Sequence, residues 1–116
     1  MDHTSDPQAM RYVIDPGRLD LVREFRGSPL GKHSPELRML LAKMRWSRAE
    51  GRLVLIVLEP GRAWRLSRIP ARRGDPMPFV DERVFTSLAE AEWHVFKLRW
   101  QEITGVALPA EFQGDL

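Results

Sequence analysis

The sequence predicts an α+β fold: two N-terminal helices, a small antiparallel sheet made of a β-hairpin plus a short third strand, and a long C-terminal helix. Three observations carry this reading. Apolar residues recur at helical spacing in residues 19–25, 37–44 and 88–103. The dipeptide Pro60-Gly61 separates a continuous apolar run from an alternating one, the pattern of two strands joined by a turn. At 116 residues the chain has room for one domain and one core.

Residues 1–16 are polar with two prolines and read as a flexible arm in which Tyr12, Val13 and Ile14 supply an anchoring contact. The domain spans residues 17–105. After Asp15-Pro16-Gly17, the positions Leu19, Leu21, Val22 and Phe25 predict a short helix over Arg18 to Arg26 that ends at Gly27. Residues 28–33 form a loop. Ser34 is then the N-cap of a second helix, with Pro35 at its first position, Leu37, Leu40, Leu41 and Met44 as its apolar stripe, and Glu50-Gly51 as its end.

Arg52 to Leu58 reads as a strand covered on both faces, because a run of six apolar residues leaves no polar side. In Glu59-Pro60-Gly61-Arg62, proline and glycine occupy the central positions of a type II turn. The next strand alternates, with Trp64, Leu66 and Arg68 on one face and Ala63, Arg65 and Ser67 on the other. Residues 70–78, rich in proline and arginine, form a loop, and a third strand starts at Phe79 or Arg83 and ends at Phe85. Ser87-Leu88-Ala89-Glu90 is a capping-box pattern that opens a helix running to Gly105. Residues 106–116 read as a loosely held tail.

At about 100° per residue, that last helix has two apolar stripes. Leu88, Ala91, Val95 and Leu98 form one; Trp93, Phe96, Trp100 and Ile103 form the other; Glu92 and Arg99 lie between them as a charged ridge. One stripe covers the sheet. The second needs another surface, either the two N-terminal helices or a partner protein. Three large aromatics left in water would exceed the apolar patch usual on a soluble monomer, so the residues assigned to a partner interface are Trp93, Phe96, Trp100, Ile103, Arg65, Arg68 and His33.

No motif for catalysis emerges. The three histidines, His3, His33 and His94, have no metal-ligand spacing between them, and there is no cysteine. Nucleophile-elbow, Walker and dinucleotide-binding sequences are absent, and the capping positions account for Ser34 and Ser87. Neither a signal peptide nor a bilayer-spanning run is present, which points to a soluble cytoplasmic protein without membrane association.

Charge is unevenly divided. Residues 18–73 hold fourteen Arg and Lys against five acids, while residues 74–116 hold three against eight. A polyanion is one partner for such a basic middle, and Trp64 beside Arg65, Arg68, Arg72 and Arg73 is the place where nucleic acid would bind. The ordinary reading is a solvated or subunit-facing surface partly neutralised by the acidic C-terminal third, which leaves nucleic acid an unfavoured partner.

Residues 31–100 resemble the small subunit of N,N-dimethylformamidase. The likeness runs through Lys32-His33-Ser34-Pro35 before a helix, Met44-Arg45 near its end, Trp64-Arg65-Leu66-Ser67-Arg68-Ile69, and the run from Phe85 to Arg99. The resemblance implies a hetero-oligomeric amide hydrolase whose large catalytic subunit holds a mononuclear iron through tyrosine and glutamate, with the small subunit bound alongside. It places no catalytic, cofactor or metal residue on this chain. The expected role is a non-catalytic subunit that stabilises the large one; the alternative is a free-standing module that binds a polyanion through its arginines.

Overall fold

The computed structural model describes residues 13–46, 52–70 and 72–113. In chain order they form α1 (Leu19–Gly27), α2 (Pro35–Trp46), β1 (Leu53–Glu59), β2 (Ala63–Arg68), β3 (Phe79–Phe85), α3 (Leu88–Thr104) and a 3-10 turn (Ala110–Phe112). The strands make one antiparallel sheet in the order β1-β2-β3. The α+β architecture expected from sequence is therefore present, element for element.

Local chemistry explains the boundaries. The Ser34 hydroxyl accepts from the Leu37 N–H at 3.2 Å, and the Ser87 hydroxyl accepts from the Glu90 N–H at 3.3 Å, so each serine occupies one of the donors left free at a helix start. At the other end of α3, Gly105 adopts φ +72° and donates its N–H to the Gln101 carbonyl. The hairpin turn holds Gly61 at φ +73°, with the Arg62 N–H donating to the Glu59 carbonyl at 2.9 Å. The predicted end of α2 at Glu50-Gly51 and the Tyr12 anchor lie outside the described residues. Of that anchor, Ile14 packs on the core and Val13 is exposed.

Helix α3 is the middle layer. Leu88, Ala91, Val95 and Leu98 meet Leu53, Leu55, Trp64, Leu66 and Phe85 of the sheet. On its opposite side Trp93, Phe96, Trp100 and Ile103 meet Leu21, Val22 and Phe25 of α1 and Leu37, Leu40 and Met44 of α2. At roughly 1.5–3 kcal/mol for each large apolar side chain fully buried, this second cluster is a principal source of stability.

Two expectations are corrected. Residues 106–113 are not a loose tail: Leu108 and Phe112 are buried in the helical cluster, Phe112 completely. The half-stack of α1 and α2 on α3 leaves an end open, and an aromatic ring from the 3-10 turn closes it. Arg26 donates to the Glu111 carbonyl at 3.1 Å, Arg23 pairs with the Glu111 carboxylate at 2.9 Å, and buried Lys97 donates to the Phe112 carbonyl at 3.3 Å. Nor is β1 covered on both faces. It is an edge strand, buried only at its start, with Val57 and Leu58 about half exposed.

Candidate functional site

The aromatic stripe assigned to a partner belongs to the chain's own core. Trp93, Phe96 and Trp100 are each at most 5% exposed. Phe96 stacks on Phe25 at 4.5 Å between centroids, Trp93 on Phe96 at 5.7 Å, and Trp100 on Phe96 at 6.0 Å. Ile103 packs beside them, partly buried. The reason is geometric: α1 and α2 together present a complementary apolar surface, which removes the need for a second protein on this face.

Among the remaining interface candidates, Arg68 lies on the α3 side of the sheet and pairs with Glu102. Arg65 lies on the outer side, its Nε donating to the Asp81 carbonyl at 2.8 Å and its guanidinium stacked 3.9 Å from the Phe79 ring centre. His33 is half-buried near the start of α2, with Nε2 2.7 Å from the Ser28 carbonyl and its ring 5.6 Å from Phe25. The structure does not bring these seven residues together. It divides them among the core, the two sides of the sheet and a cleft.

The outer face is the first feature that the sequence reading missed. The register pairs Val54 with Ser67, Ile56 with Arg65 and Arg65 with Val84, so Val54, Ile56, Arg65 and Val84 share the side away from α3. Phe79, opposite Ser67, joins them. The helices pack on the other side, and Val84 and Phe79 stand 48% and 41% exposed. No local signal marks this face in the sequence, because the apolar run of β1 reads alike in an edge strand and a buried one.

The second is a cleft of about 530 Å³ along α2 and α3. Its lining combines the stacked Phe25 and Phe96 with Arg38 and Arg45 of α2, Glu92 and Arg99 of α3, and His33 at one end. The spacing is legible in retrospect. Arg38 and Arg45 are seven residues apart, as are Glu92 and Arg99, and residues seven apart share a helix face. Arg99 donates to the Leu53 carbonyl at 2.7 Å, while its buried Nε–H has no hydrogen-bond partner. Burial lowers the pKa of this guanidinium; Glu92 pushes it up, and Arg45 and Arg52 push it down.

Other ionisable groups have structural surroundings. His94 is half-buried beside Phe85, with ring centres 5.3 Å apart. Burial, with Arg83 and Lys97 nearby, holds its pKa below the ordinary histidine value. Among the described residues, no three His, Asp or Glu side chains are grouped to hold a metal ion. No helix among them is long and apolar enough to cross a membrane.

Two comparisons with known proteins bear on the chain. No curated protein matches the sequence. A family model does, that of the N,N-dimethylformamidase alpha subunit, over residues 4–109. The match takes in α1 and Leu108 as well as the sheet and α3, so it spans the helical cluster and the hairpin alike. The chain belongs to the N,N-dimethylformamidase alpha subunit family.

Proposed function

We propose that the chain is the non-catalytic small subunit of a dimethylformamidase-like hydrolase, in which an iron-containing large subunit hydrolyses a small N-alkylated amide to an amine and a carboxylic acid. The single observation that carries this reading is the family match along nearly the whole chain. The role assigned to the small subunit is to dock on the large one and stabilise it.

The docking surface we assign is the outer face of the sheet, in place of the aromatic stripe. Val54, Ile56, Phe79 and Val84 give it an apolar centre, Arg65 supplies a stacked cation, and β1 adds an apolar edge strand. An edge strand that is apolar from Leu53 to Leu58 and meets its first charge only at Glu59 ordinarily needs a cover. The subunit reading is preferred to a polyanion module because Arg68 is engaged by Glu102 and Arg65 by Phe79 and the Asp81 carbonyl.

The test is co-expression with the large subunit from the same source, followed by affinity purification through a tag on this chain. The expected result is an iron-containing complex with amide-hydrolase activity. Val84→Asp, at an exposed position, should reduce recovery of that complex at least tenfold without altering the melting of the isolated chain. No association of the native chain with an iron-bearing subunit would defeat the subunit reading; full recovery with Val84→Asp would defeat the assigned surface.

A further inference from the structure

We propose that the cleft between α2 and α3 binds a small organic carboxylate, its apolar body lying against Phe25 and Phe96 and its carboxylate meeting the guanidinium groups of Arg38, Arg45 and Arg99. The proposal stands on the composition of the cleft and does not depend on the subunit reading.

Three arginines and one glutamate line the cleft beside His33, so guanidinium groups outnumber carboxylates by two (3 − 1 = 2). The positive charge is not consumed within the fold. Among the described residues, the side chains of Arg38 and Arg45 form no hydrogen bond or ion pair, and Arg99 has an inner Nε–H without an acceptor. Burial lowers the pKa of Arg99 most, Glu92 opposes that, and Arg45 adds like-charge repulsion across the cleft. A carboxylate relieves that repulsion and supplies acceptors in the planar geometry that guanidinium matches.

The apolar half of the lining narrows the ligand class. Phe25 and Phe96 present stacked rings, and a cavity of about 530 Å³ falls in the range of small-molecule sites. Inorganic phosphate would use the cations alone and, as a dianion, would meet Glu92 with greater repulsion. A neutral apolar molecule would use the rings alone. An organic monocarboxylate uses both.

The experiment titrates the full-length chain with phenylacetate, phenylacetamide and inorganic phosphate separately at low salt, following backbone amide shifts by two-dimensional NMR. Phenylacetate should give saturable shifts confined to the residues about the cleft, namely Phe25, His33 and residues 38–45 and 92–99, with a Kd on the order of 1 mM, ordinary for a ligand of this size. Phenylacetamide, which has no negative charge, should bind at least about tenfold more weakly. The double variant Arg38→Gln/Arg45→Gln changes two exposed side chains and should weaken phenylacetate by a similar factor with an unchanged spectrum elsewhere. The proposal is overturned if phenylacetate gives no saturable shifts or shifts elsewhere in the fold. It is equally overturned if phenylacetamide or phosphate binds as tightly at the same residues, or if the double variant binds phenylacetate as the native chain does.

Discussion

At Ser34 one side chain serves two elements. Its hydroxyl caps α2 and also donates to Glu24 Oε1 at 2.7 Å, while its backbone N–H donates to Glu24 Oε2 at 2.6 Å. The backbone donor first, and the hydroxyl second, hold the Glu24 carboxyl below its ordinary pKa. A carboxylate depressed in the folded state contributes stability above its unfolded pKa and loses it as pH falls through the folded value. Glu24→Gln should therefore be less stable than the native chain at pH 7, with the gap closing below about pH 4.5, as urea unfolding at a series of pH values would show. The same logic of small contacts applies at Gly61. Nothing lies within 4 Å of a Cβ built there, so Gly61→Ala meets only the backbone penalty of φ +73°, about 1 kcal/mol of stability, measurable by the same method.

Helix α3 shows what sequence could and could not settle at the level of elements. Its two stripes were legible because 3.6-residue periodicity acts through local geometry, and the sheet-facing stripe is where the periodicity placed it. What covers Trp93, Phe96 and Trp100 depends on the direction in which α1 and α2 return, a long-range property that no local pattern encodes. Phe96→Ala should therefore destabilise the isolated chain by about 3–5 kcal/mol, since it removes a buried ring from the aromatic stack. An interface residue would leave the isolated chain's unfolding curve nearly unchanged. The C-terminal turn follows the same reasoning. Residues 106–116 read as a loosely held tail, yet Leu108 and Phe112 join the cluster, and Lys97, Arg23 and Arg26 bond to residues 111 and 112. Phe112→Ala should cost about 3–5 kcal/mol in thermal or urea unfolding, well outside the range of a surface change.

The whole molecule is a three-layer stack: the pair α1 and α2, then α3, then the sheet. Its charge division is partly internal neutralisation, because Arg23 and Arg68 from the basic middle pair with Glu111 and Glu102 from the acidic third. The sheet's outer side emerges as the apolar surface that the layers leave uncovered. Sequence left either the N-terminal helices or a partner to cover the aromatic stripe, and the helices do so; it did not mark the sheet's outer side, because a run such as Leu53 to Leu58 does not distinguish an edge strand from a buried one. The most direct test of the subunit account is to separate the chains of the purified native complex and measure iron and amide hydrolysis in each fraction and after remixing. The account predicts iron with the large chain, none with this one, no hydrolysis by this chain alone, and a large chain whose thermal stability rises when this one is added back. Iron or hydrolysis retained by this chain alone, or a large chain unaffected by its return, would contradict it.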